Sequence, residues 1–279
     1  MSISAEKKRF RWIQGIILAA VCVIMLAPFY VALCYAFKTK QDFIKTKLAF
    51  PTTFYFGNIV RAFQLPEYYS AFVNSLIVAA AVVLLTIITS STGAYIISRN
   101  SRSKVCNVIY YVFQLVIMIP FQSIMFPLYK QLSGIGALNH LWGLILVQVG
   151  MYVGYNVFLY AGFVKGIPVS LEEAAAIDGC NQYQVFFKIV FPLLKPIHMT
   201  VFVLTFLNSW NDFIMSMIIC QKQEMRTLPL MQYYFFGEYS SDVSLAFAAS
   251  ILAMIPTVIV YFVAQKYIVA GMTAGAVKT

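Results

Sequence analysis

Residues 165–196 read KGIPVSLEEAAAIDGCNQYQVFFKIVFPLLKP. They lie between two long apolar runs and are built differently from either. Pro168 disfavours helix just before it. Ser170 stands three residues ahead of Glu173, the spacing of a capping box in which the Ser side chain accepts the Glu173 amide and the Glu reaches back. Glu172 and Glu173 suit the positive end of a helix. Ala174, Ala175 and Ala176 are strong helix formers with minimal bulk. Asp178-Gly179 then ends the helix, with glycine supplying a left-handed turn. A second helical stretch, about 182 to 191, precedes Pro192. The reading is helix, sharp turn, helix, with a small alanine face open to a partner's backbone. Taken alone, these residues fit equally an amphipathic surface helix that simply joins its neighbours.

Outward from this segment the chain is mostly apolar. Of 279 residues, 61% are hydrophobic and 11% charged, with mean hydropathy +0.79. A soluble domain carries about a quarter of its residues charged; these are too few to cover a water-exposed surface, so lipid must replace water over much of it. A helix needs about 20 apolar residues to cross the bilayer core. Six segments qualify: 13–37, 71–98, 105–128, 141–164, 197–220 and 244–267. Only the fifth carries an internal acid, Asp212. Pro28, Pro120, Pro127, Pro196 and Pro256 fall inside or at the ends of these runs. Within a bundle such residues kink a helix, and neighbours satisfy the freed carbonyls.

The net charge is +10, and the basic residues form short clusters between apolar runs. This is the pattern of loops facing anionic lipid rather than of a nucleic-acid surface. Lys7, Lys8, Arg9 and Arg11 precede the first run, and Arg99, Arg102 and Lys104 follow the second. By the positive-inside bias both clusters, and both termini, are cytoplasmic. The segment 165–196 is then cytoplasmic, and 38–70, 129–140 and 221–243 lie outside. The uncharged run from Trp12 to Phe37 is far longer than the apolar core of a signal peptide, so it reads as a retained span. The expected fold is all-α, a polytopic membrane protein of six transmembrane helices in a single domain, 1–279.

Cys22, Cys34, Cys106, Cys180 and Cys220 are scattered with no CxxC spacing, which supports neither a zinc site nor a disulfide framework. His140 and His198 stand alone at span ends, so no metal is expected. No GxxxxGK[ST] loop occurs, so ATP is not bound by that route, and no catalytic motif such as HExxH or GxSxG is present. No enzymatic activity and no cofactor is expected of this chain.

The segment 165–196 resembles the cytoplasmic signature of the permease subunits of binding-protein-dependent ABC importers: EAA, three residues, G, nine residues, IxLP. Here Glu173-Ala174-Ala175 is followed after three residues by Gly179, and nine residues later by Ile189-Val190-Phe191-Pro192. Only the Leu differs, being Phe191. The C-terminal QKYIVAGMTAGAVK and the Trp210-Asn211-Asp212-Phe213 element are similar to the carbohydrate branch, specifically the smaller six-span partner of the maltose-type pair. Cys180, Met272 and Thr279 depart from that branch and weaken any assignment of a particular sugar. The resemblance implies a type I importer permease fold and a short coupling helix docked on a dimer of separate ATP-binding subunits. Glu172, Glu173, Ala174, Ala175, Asp178, Gly179, Ile189 and Pro192 form that dock by the same likeness. It further implies a second homologous permease, an external sugar-binding protein, and a bacterial or archaeal cytoplasmic membrane.

Two further groups carry open readings. Asn208, Trp210, Asn211 and Asp212 either line the pathway or face the partner permease; alternatively Asp212 makes a structural hydrogen bond between helices. An acid within a span is costly and usually faces protein or water. Tyr233, Tyr234, Phe235, Phe236 and Tyr239 either meet the binding protein and its sugar or form an interfacial aromatic belt. The rival functions are an ABC permease for a non-sugar solute and, further off, a secondary transporter. The latter leaves 165–196 unexplained and needs more intramembrane ion ligands.

Overall fold

The computed structural model describes residues 3–238 and 242–276, with side chains for 10–237 and 242–265. Among the described residues there are helices and no strands. In chain order they are α1 (Ile3–Ala36), α2 (Lys40–Lys45), α3 (Gly57–Gln64), α4 (Pro66–Arg99), α5 (Lys104–Met118), α6 (Phe121–Gly134), α7 (Leu141–Lys165) and α8 (Val169–Ile177). There follow α9 (Gln182–Val185), a π turn (Phe186–Val190), α10 (Phe191–Leu193), α11 (Lys195–Trp210), α12 (Ile214–Ile219), α13 (Leu228–Glu238) and α14 (Val243–Ala276). Four helices are long and apolar enough to cross a membrane unaided, and the number rises to six if two bent pairs each count as one span.

The bends mark where sequence and structure part. The run 105–128 reads as one span, yet α5 and α6 meet at 106° across Ile119-Pro120. The cause is local: a residue before proline is pushed out of the helical region, and Ile119 sits at φ −85°, ψ 115°. The run 197–220 is likewise interrupted, α11 ending at Trp210 and α12 starting at Ile214. The stretch Gln182–Leu193 meets α11 at 75°, beside Pro192 and Pro196. Residues 221–243, read as a loop, contain the helix α13.

The chain forms two compact units. The first comprises 1–68 with 232–254. Here α1 is exposed from Phe10 to Tyr30, and burial begins only at its end, with Cys34, Ala36 and Lys38. The Lys38 ammonium turns back on the carbonyls of Thr46 and Lys47, while the Asn58 amide donates to Ala36 O at 2.9 Å and Lys38 O at 2.8 Å. Carbonyls left over at the end of α1 are thereby satisfied from within the unit. Tyr68 is fully buried and donates to Ala249 O at 2.6 Å.

The second unit comprises 69–231 with 255–279. Its core joins Ala94 and Ile97 of α4, Val157, Tyr160, Ala161 and Val164 of α7, Phe186 and Val190 of the π turn, and Ile197 and Val201 of α11. Small residues let α5 and α7 approach closely. A Cβ added at Gly154 would stand 2.7 Å from the Phe113 carbonyl oxygen, whereas one added at Gly150 meets nothing within 4 Å. Gly154→Ala should therefore lower stability by about 1–3 kcal/mol through overpacking. Gly150→Ala, in the same helix, should be neutral or mildly stabilising. Thermal unfolding of the two variants in detergent separates them; equal midpoints would remove the close α5–α7 contact from the account.

Candidate functional site

The segment 165–196 begins where α7 ends, at Lys165. Pro168 precedes α8 with φ −59° and ψ 130°, and no side chain caps the helix. The capping box expected between Ser170 and Glu173 is not formed. Helix begins at Val169, so Ser170 already has helical neighbours on both sides and cannot serve as the cap. The box lies instead one helix later, where Asn181 Oδ1 accepts from Gln184 N and Gln184 Oε1 accepts from Asn181 N, both at 2.9 Å. Asn181 has the extended backbone a cap requires, φ −76° and ψ 168°.

The end of α8 follows the expectation closely. Gly179 has φ +86°, the left-handed region where a side chain costs about 1–2 kcal/mol. Cys180 N donates to Ala175 O at 3.0 Å and Gly179 N to Ala176 O at 3.1 Å, the paired closure of a Schellman turn. Ala175 is buried against the second helical stretch, while Glu173, Ala174, Asp178 and Gly179 are exposed. Two large apolar side chains project from the same segment: Ile177 is 87% exposed and Tyr183 79%. Ile189 is half-buried and Pro192 exposed.

Glu172 behaves differently from Glu173. It turns inward, its side chain only 11% exposed, to the Arg99 guanidinium in the last turn of α4. Arg99 Nη2 and Nε lie 2.6 and 2.8 Å from Glu172 Oε1, and Arg99 Nη2 also donates to Ile167 O at 2.9 Å. Tyr95, one turn earlier on α4, donates its hydroxyl to the other oxygen, Glu172 Oε2, at 2.7 Å. Glu172 is therefore not part of the exposed face that the resemblance assigned to it.

A second polar tie fixes the break before α11. His198 Nε2 is 2.9 Å from Phe191 O, and His198 Nδ1 is 2.6 Å from the Tyr160 hydroxyl. A carbonyl can only accept, so Nε2 carries the proton and Nδ1 accepts from Tyr160. The imidazole thus joins α7, α10 and α11, with Tyr160 donating to Nδ1 when the ring is neutral.

The element Trp210-Asn211-Asp212-Phe213 is the gap between α11 and α12. Asp212 Oδ1 accepts from Met215 N at 3.3 Å; its Oδ2 accepts from Ser216 N and Ser216 Oγ, each at 2.9 Å. Asp212 is thus a cap for the amides at the start of α12, with Gln148 of α7 interacting with the same carboxyl. Ser209 donates to Gln148 Oε1 on α7 at 2.5 Å. Trp210, 2% exposed, stacks on Phe206 and meets Phe72 edge-on, so it packs inside the chain, while Asn208 and Asn211 are exposed. On α13, Tyr233 and Phe236 are exposed, Tyr234 is half-buried and Phe235 is buried beside Tyr68. Tyr239 lies outside the described residues.

Residues 90–274, which contain α8, α11, α12 and most of α14, match the family of binding-protein-dependent transport system inner membrane components. The chain belongs to this family. It is 38% identical over 264 residues to the probable starch degradation products transport system permease of Thermoanaerobacterium thermosulfurigenes, covering 95% of this chain and 94% of that one. It is 37% identical to the multiple sugar-binding transport system permease of Streptococcus mutans, covering 98% and 99%. The melibiose/raffinose/stachyose import permease of Bacillus subtilis is 34% identical, with 99% of each chain covered. The fold matches a chain of a bacterial ABC transporter involved in import of the acidic polysaccharide alginate, with TM-score 0.80, 22% identity, and coverage of 96% and 98%.

In this permease, sequence reasoning did not reach Arg99, Tyr95, Tyr160 or His198 as parts of the site. Arg99 entered only as a topology charge. Arg99 ends a span on the same expected side as Glu172, but 73 residues separate the two, and no local spacing pairs them. The Asp212 cap gives a test of its role. Asp212→Ala should cost about 1 kcal/mol of stability, typical of a lost cap. Asp212→Asn, which keeps one accepting oxygen, should cost less. Unfolding midpoints in detergent check the ranking, and an Asn variant as damaged as the Ala variant would require the full charge instead.

Proposed function

We propose that this permease carries a neutral oligosaccharide into a bacterial or archaeal cell, driven by ATP hydrolysed on a separate pair of subunits. The supporting observation is the α8 segment: a helix with a single buried side chain, closed by a left-handed glycine, that presents Glu173, Ala174, Asp178, Gly179, Ile177 and Tyr183 to a partner. By the family resemblance, Ile177 and the rest of this exposed face would be covered by the groove of an ATP-binding subunit. Ala175, Ile189 and Pro192 shape the segment from behind. The sugar class rests on the relatives, which are named for starch products, multiple sugars and the raffinose series.

The remaining assignments follow from the same assembly. A second, homologous permease pairs with this one, lipid surrounds both, and both termini lie in the cytoplasm. The alginate transporter was seen in complex with an oligosaccharide-bound periplasmic protein; by analogy, Tyr233, Tyr234, Phe236 and Tyr239 would face such a binding protein, with Phe235 holding α13 in place. Asn208 and Asn211 would line the pathway or meet the partner permease, with Trp210 and Asp212 supporting the break that carries them. Nucleic acid has no place in this scheme.

Reconstitution tests it, with radiolabelled maltotriose and raffinose as probes. The permease alone should move neither sugar. With its second permease, the ATPase and the binding protein, one of the sugars should accumulate, and ATP hydrolysis should rise when loaded binding protein is added. Gly179→Leu should leave membrane insertion intact and reduce that stimulation by about tenfold or more, because the turn that aims α8 no longer closes. Uptake that persists without the ATPase would overturn the coupling, and uptake of neither sugar by the complete assembly would overturn the substrate class.

A further inference from the structure

Residues Tyr95, Arg99, Ile167 and Glu172 form a clamp that joins one end of the longest buried span to a helix that is otherwise held loosely. In α8 only Ala175 is buried. Its chain connections run to α7 through Gly166-Ile167-Pro168 and to α9 through Gly179-Cys180, and both linkers contain a glycine. A short helix with one buried methyl group, joined through glycine-containing linkers, transmits little force by packing alone.

The polar tie supplies what packing does not. Glu172 is held by three donors, two from Arg99 and one from Tyr95, and Arg99 spends its further donor on the Ile167 carbonyl in the linker before α8. Arg99 and Tyr95 both lie on α4, 73 and 77 residues before Glu172 in the chain. With side chains 17% and 11% exposed, the pair is shielded from water, where a charge deprived of its partner is strongly disfavoured. Arg99 grips the linker and the helix at once, so neither can turn without the other or without α4.

We propose that Arg99 is a positioning residue for coupled transport: through Glu172 and Ile167 O it makes α8 and α4 move as one body, carrying displacement of the docked helix directly into a span remote in sequence. The α7 connection then guides α8, while the clamp bears the load. This rests on the proposed function above, since it takes α8 to be the element on which the ATPase acts.

The measurement is the number of ATP molecules hydrolysed per sugar imported, made on the complete assembly in proteoliposomes with the maltotriose or raffinose probe. Arg99→Gln should raise that ratio roughly tenfold, because the handle still moves while α4 follows it loosely. Arg99→Lys keeps the charge but not the fork and should fall between the two. Tyr95→Phe removes one donor, alters no charge and should raise the ratio by a smaller factor, so it decides the matter if Arg99→Gln fails to assemble. A merely structural role lowers uptake and hydrolysis together and leaves the ratio unchanged; an unchanged ratio in Tyr95→Phe and in whichever Arg99 variant assembles overturns the proposal. Cross-linking of an Ile177→Cys substitution to the ATPase is run alongside. If that cross-link is missing with Arg99 intact, the docking itself is wrong, whereas a preserved cross-link with an unchanged ratio condemns the clamp alone.

Discussion

Hydrocarbon offers no hydrogen-bond partner, so every interruption of a helix at membrane depth must be satisfied by the protein itself. This constraint explains why the breaks in this chain are small and closed. At the α5–α6 bend, Ile119 N returns to Val116 O at 3.2 Å, and Pro120 brings no amide to satisfy. At the α10–α11 bend, the Phe191 carbonyl accepts from Leu194 N at 3.2 Å and from His198 Nε2 at 2.9 Å. Between α11 and α12 a carboxylate collects two amides and a hydroxyl. Three different chemistries meet one requirement, and in each the satisfying group lies within a few residues of the break.

The same requirement shapes the segment 165–196. Its helices are short, and a short helix has a large share of unsatisfied ends. Those ends are closed by a Schellman turn at Gly179, a capping box at Asn181 and the Arg99 contact to Ile167 O. The polar demands of the backbone are met inward, and the outward face sets small and apolar residues, Ala174, Ile177, Gly179 and Tyr183, beside the acids Glu173 and Asp178. A surface of that kind suits a protein groove better than water, and it is aimed by bonds that do not themselves need the partner.

Much of this was legible in the residues. The excess of apolar residues, the spacing of the runs and the EAA–G–IxxP pattern were enough to indicate the helical membrane fold and the family, because these signals are local and repeat along the chain. Gly179 was legible for the same reason, since Asp-Gly after an alanine run leaves one turn geometry. The Ser170–Glu173 box was misread because the pattern is satisfied by composition, while the actual start of the helix is set at Pro168; Glu172, outside that box, finds its partner 73 residues away. That partner could not be read from local spacing. The breaks at Ile119 and Asn211 were hidden for a different reason: an apolar run has the same composition whether it crosses straight or bent. Trp210 looked like a pathway residue because of its polar neighbours, yet aromatic packing on Phe72 and Phe206 took it into the core.

What the chain leaves exposed bears on how it is used. Along α1 the exposed side chains are apolar from Ile16 to Phe29, and lipid covers such a surface without cost. Asn208 and Asn211 cannot be accounted for in that way. They lie one turn apart at the end of α11, a helix that belongs to a bent pair apolar enough to sit in the membrane. Asn211 spends its amide nitrogen on Leu207 O at 2.8 Å, which still leaves its amide oxygen with accepting capacity, and an amide facing acyl chains is disfavoured by several kcal/mol. The face that holds them is therefore suited to water or to protein. In a transporter these are the pathway and the second permease, and a break whose own backbone is already satisfied by Asp212 can present those two amides without unravelling.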